Sequence, residues 1–101
     1  MSYWKVDIEE KAEKRLREML QKSVISKDDI KVIRKWIDEV EEFGPEYVAA
    51  SSEWHDHALD REWSGFRASA FSSYGRIIYK VLDDQVVVRV VRVTADHNYK
   101  R

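Results

Sequence analysis

The chain has 101 residues, of which 44% are hydrophobic and 37% charged, with only 3 glycines and 1 proline; this excludes a disordered or linker-rich polypeptide. Cysteine is absent, which excludes a disulfide framework, a thiol nucleophile and any cysteine-based zinc site, and no apolar run approaches the roughly 20 residues of a membrane span. The formal net charge of -1 hides an uneven distribution: residues 1–62 hold 11 basic and 16 acidic side chains, whereas residues 63–101 hold 7 basic and 3 acidic ones.

The first residues, Met1-Ser2-Tyr3-Trp4-Lys5-Val6-Asp7, lack the apolar centre and small-residue cleavage site of a signal peptide. With the missing cysteines this leads us to expect a cytoplasmic protein without membrane association. Tyr3 to Val6 reads as a short strand. Asp7 and Glu10 have the spacing of a capping box, and Ile8, Ala12, Leu16, Met19 and Leu20 recur as one buried helical face requires, so a helix is expected over 8–22. A second capping box, Ser26 and Asp29, opens the next helix, whose apolar stripe is Ile30, Ile33, Ile37 and Val40, widened by Trp36. Gly44 and Pro45 end it.

The segment 45–62 carries a weaker pattern. A short helix starting at Pro45 is expected, with Trp54, His57 and Leu59 covering one end of the core. His55 and His57, with Asp56 between them, match no strong metal-binding spacing and read as surface or cap histidines, so no metal and no cofactor are expected. After Trp63 the period becomes that of strands. Residues 65–72, 76–82 and 85–93 are expected as strands, and the short Asp83-Asp84 connection requires antiparallel neighbours. Tyr79 is expected in the core with a polar tip. The architecture is α+β: two N-terminal helices on a twisted, mainly antiparallel sheet, in one domain spanning 1–101.

The basic second part carries the candidate chemistry. Arg67, Arg76 and Arg92 lie in or beside strands, and the chain closes on Asp96-His97-Asn98-Tyr99-Lys100-Arg101. Guanidinium groups offer a permanently charged fork of donors suited to a phosphate, and His97 is the one imidazole in this part. These residue types suit metal-independent RNA cleavage, in which a base assists attack of the ribose 2'-oxygen on phosphorus and an acid protonates the leaving 5'-oxygen. Arg76 is the expected central phosphate contact, with Arg67 and Arg92 in support and Lys100 and Arg101 as further basic residues at the chain's end. His97 is the expected proton donor. Tyr99 is placed to stack, orient or donate.

Three stretches carry a resemblance: Trp63-Ser64-Gly65-Phe66-Arg67, Gly75-Arg76-Ile77-Ile78-Tyr79-Lys80-Val81, and Val86-Val87-Val88-Arg89-Val90-Val91-Arg92-Val93 leading to His97-Asn98-Tyr99. Over roughly 40 residues this order resembles the RelE/ParE superfamily of bacterial toxins. The resemblance implies a compact, microbial RNase-like fold restrained by a cognate antitoxin protein. For the RNA-cleaving branch it implies cleavage of mRNA in the ribosomal A site, so the ribosome and mRNA are implied partners. It places Arg76 at a phosphate-stabilising position, His97 and Tyr99 near the C-terminal catalytic positions, and Arg67 at a supporting basic one. The alternatives it leaves open are a gyrase poison of the ParE type and a non-catalytic protein-interaction domain on the same fold.

Overall fold

A computed structural model describes residues 4–83 and 85–93. Among the described residues five strands form one sheet: β1 (Lys5–Ile8), β2 (His57–Ala58), β3 (Arg67–Ala70), β4 (Gly75–Val81) and β5 (Gln85–Val93), in the spatial order β1-β5-β4-β3-β2. β2 to β5 pair antiparallel as successive neighbours, and β1 joins the far side of β5 in parallel. Three α-helices precede β2: α1 (Glu10–Gln21), α2 (Lys27–Phe43) and α3 (Pro45–Ala50). Among the described residues no helix is long and apolar enough to cross a membrane.

The expected α+β arrangement is present, and β5 has the bounds read from its valine run. The first helix differs from expectation. Asp7 does not cap it; Asp7 lies in β1 opposite Val87, and Ile8 completes that strand opposite Val88. Glu9 occupies the cap position without a side-chain capping bond, and its carboxylate instead meets Arg89 at 2.9 Å. Pairing with a nine-residue strand outweighs a local capping signal, which is the usual order of tertiary over local preference. The second helix begins as its sequence says. Ser26 Oγ accepts from the Asp29 backbone N–H at 3.1 Å, and Asp29 accepts from the Ser26 N–H at 2.9 Å. It ends at Gly44, whose φ of +95° suits glycine and whose missing Cβ leaves room for the Trp4 indole. Pro45 then fills the first position of α3, where no N–H is needed.

Helices and sheet share one core. Trp36 and Val40 of α2, Val48 of α3 and Met19 of α1 meet Ile77 and Tyr79 of β4 and Val86, Val88 and Val91 of β5. Trp36 and Tyr79 pack edge to face, with ring centroids 5.1 Å apart. Residues 51–58, whose pattern was weak in the sequence, are tied down by polar bonds. Trp54 is buried, its indole N–H donates to Glu39 Oε1 at 2.9 Å, and Lys35 bridges to Glu53 at 2.6 Å. His57, expected to cover the core, is exposed.

Candidate functional site

The sheet has two faces, and a bulge in β5 decides what stands on the second. Val86 and Val88 point into the helix-covered core. Strict alternation would send Val90 and Arg92 after them. The ladder instead slips between Ile78 and Tyr79: Tyr79 pairs with Val88 and Ile78 with Val90, so Arg89 is the extra residue. The slip turns Val91 and Val93 inward and moves Arg92 to the far face. There it stands directly across from Arg76, its register partner on β4. Residues directly opposite in an antiparallel pair share a face, so the two guanidinium groups project on the same side.

Arg76 is held at the β3–β4 turn. Its Nη1 donates to the carbonyl oxygens of Gly75 at 2.8 Å and Ser72 at 3.1 Å. The turn is tight: Phe71 N–H reaches the Gly75 carbonyl at 3.1 Å, and a Cβ on Gly75 would lie 2.4 Å from the Phe71 ring. Arg76 therefore leaves a fixed point on the backbone, and a positioned cation stabilises an anion without reorganising. Ala68, Ala70, Ile78, Val90 and His57 share this face through their pairing positions. The Phe66 ring lies 5.7 Å from the Lys80 ammonium and 5.4 Å from the Arg89 guanidinium, and Trp63 packs on it edge to face at 5.2 Å.

Arg67 does not join Arg76 and Arg92. It pairs with Tyr79 on the core-side face, while Ala70 pairs with Arg76 on the other. Its Nε donates to Asp56 Oδ1 at 2.6 Å. The Asp56 side chain is inaccessible to solvent, and its second oxygen accepts from Ser69 Oγ at 2.6 Å and from the Tyr79 hydroxyl at 2.5 Å. Ser69 in turn accepts from the Trp36 indole N–H at 2.9 Å. A carboxylate with three donors, one of them charged, is a satisfied buried anion. Burial pushes the Tyr79 phenol far above its ordinary value, and its bond to the Asp56 charge adds to this, against a smaller opposing pull from Arg67. For Arg67, burial alone would lower the value, but the Asp56 bond and charge raise it. His97, Tyr99, Lys100 and Arg101 lie outside the described residues.

No family model and no curated protein sequence matches the chain. Solved structures do. The YoeB–YefM complex from Staphylococcus aureus superposes with a TM-score of 0.69 at 12% identity, over 90% of this chain and 97% of that one. YafQ from E. coli gives 0.67 at 18% identity over 89% and 92%, and a copper-bound mutant toxin from Helicobacter pylori gives 0.65 at 17% over 94% and 97%. The chain has the RelE-like toxin fold.

Within the RelE-like fold the sequence reading located the Arg76 strand and the valine strand, but it missed the Asp56 cluster. Asp56 reaches partners 11, 13 and 23 residues away, a separation at which no local pattern signals contact. Nor did it place His57 on the face of Arg76, because a two-residue strand shows no alternation. Among the described residues no group of three or more His, Asp or Glu is arranged to hold a metal ion.

Proposed function

We propose that this protein is a ribosome-dependent mRNA endoribonuclease toxin whose phosphate site is the sheet face bearing Arg76 and Arg92. The observation that carries the reading is the bulge that sets the two arginines opposite each other. Guanidinium groups set directly across a strand pair present two forks of donors to one side, an arrangement suited to a phosphate. The RelE-like fold supports the same reading, since toxin–antitoxin complexes are among its solved examples, including DinJ–YafQ from E. coli. A cognate antitoxin is accordingly the proposed protein partner.

In the proposed reaction the ribose 2'-oxygen attacks the adjacent phosphorus as a base removes its proton. The P–O5' bond breaks, leaving a 2',3'-cyclic phosphate on one fragment and a 5'-hydroxyl on the other. Arg76 and Arg92 neutralise the charge that grows on the non-bridging oxygens. His97 supplies the proton to the departing 5'-oxygen, while Tyr99 orients the phosphate or stacks on a base, with Lys100 and Arg101 adding positive charge at the chain's end. The chemistry calls for no metal.

The test is a reconstituted translation system programmed with a defined mRNA, without added antitoxin. Wild-type protein should cut the ribosome-bound message and leave a cyclic phosphate end, and a 2'-deoxy substitution at the cut position should block cleavage. Arg76→Ala and His97→Ala should each slow cutting by about a hundredfold or more, the scale of losing one transition-state contact. Wild-type rates in both variants would remove the assignment.

A further inference from the structure

β1 covers only half of β5. Its last residue, Ile8, pairs with Val88, and the chain then turns through Glu9 into α1. Beyond that point the first turns of α1 flank the strand, and a cleft of about 440 Å³ opens at the border. Its walls bring together Lys11 and Arg15 of α1, Arg89 and Val90 of β5, and Trp63. Among the described residues Lys11 and Arg15 form no ion pair, while Arg89 meets Glu9 at 2.9 Å. Three cations against one carboxylate leave the cleft positive in the acidic half of the molecule as well as the basic one.

We infer that this cleft is a nucleotide subsite, in which one base of a single-stranded RNA stacks on Trp63 while Lys11 and Arg15 hold its phosphate. The inference rests on the RNA-cleaving reading and extends it to a binding position away from the scissile bond. An aromatic ring beside free cations is the combination that single-stranded nucleic acid uses, because every base has a π-face and every linkage a negative charge. Trp63 is braced for this. It packs edge to face on Phe66 at 87°, and Phe66 is itself flanked by Lys80 and Arg89, so the indole has little freedom to lose on binding. The cleft also lies in line with the phosphate site. Val90 and Arg92 are two residues apart on one strand, about 7 Å at the usual rise, so one RNA strand can occupy both positions.

The experiment is equilibrium binding, by fluorescence anisotropy, of a labelled RNA hexamer whose 2'-oxygens are all methylated so that it cannot be cut. A second hexamer has the same phosphates but one abasic position, moved along the strand. Trp63→Ala should weaken the intact hexamer by about tenfold, Trp63→Phe should restore most of the affinity, and one abasic placement should bind wild type about tenfold more weakly yet bind Trp63→Ala unchanged. Lys11→Ala with Arg15→Ala should flatten the salt dependence. Equal binding by wild type and Trp63→Ala would overturn the subsite. So would a loss for Trp63→Ala that is the same for intact and abasic RNA, or a cleft that takes an acidic peptide in place of the RNA. Circular dichroism of Trp63→Phe confirms folding. Because binding is read without cleavage, a failed subsite leaves the Arg76 assay intact, and a failed Arg76 assay leaves the binding result intact.

Discussion

At the scale of single residues, Asp56 is the polar centre of the molecule. Its carboxylate is buried among three donors, and those donors come from β3 and β4. Asp56→Ala should cost about 2–3 kcal/mol of stability, less than a fully buried pair because Arg67 is a third exposed, and a lowered urea midpoint with unchanged slope would show it. Tyr79 adds a pH dependence whose sign follows from its raised value. In the unfolded chain a tyrosine ionises near 10, whereas the folded protein holds this one protonated beyond that. Above pH 10 unfolding therefore releases a proton, and the stability contributed by the neutral phenol declines as pH climbs. The advantage of wild type over Tyr79→Phe should be constant up to about pH 9 and shrink above pH 10 in denaturant titrations. A gap that widens in alkali would contradict it. Tyr79 was legible in the sequence as a core residue with a polar tip because strand alternation placed it. Its acceptor was not, because Asp56 sits in a segment without period.

At the scale of elements, the clearest sequence signals were those made by neighbouring residues. The Ser26–Asp29 box forms as its spacing dictates, and Ser26→Ala should lower stability by about 1 kcal/mol, measurable as a fall in melting temperature. The Asp7–Glu10 spacing is equally good on paper, yet Asp7 belongs to β1 because the valine strand offers it a ladder. A capping signal beside an unpaired strand edge is thus open to two outcomes, and only the register of the distant strand selects one. The bulge at Arg89 is the other feature that the sequence hid. A run of valines broken by two arginines fits either phase, and the slip against Tyr79 fixes which arginine faces Arg76. Segment 51–58 was illegible for a related reason: it is held by Trp54, Glu53 and Asp56 reaching across to α2 and the sheet, with no stripe of its own.

At the scale of the whole molecule, the two sides of the sheet differ in what they carry. One side is sealed by helices and by the Asp56 cluster, which uses Arg67 to hold the fold. The other carries Arg76 and Arg92 together, with the Trp63 cleft along the same strand. The fold class, the helix pair and the antiparallel neighbours near the C-terminus were readable from hydrophobic period, capping signals and the short Asp83-Asp84 connection, whereas the separation of Arg67 from the other two arginines depends on pairing register. That separation yields the most direct test. Cleavage of ribosome-bound mRNA should fall by about a hundredfold or more in Arg76→Ala, while Arg67→Ala, assayed where it remains folded, should stay within a few-fold of wild type. An Arg67→Ala protein that is folded but inactive, beside an Arg76→Ala protein that cuts normally, would place the chemistry on the opposite side of the sheet and contradict the account.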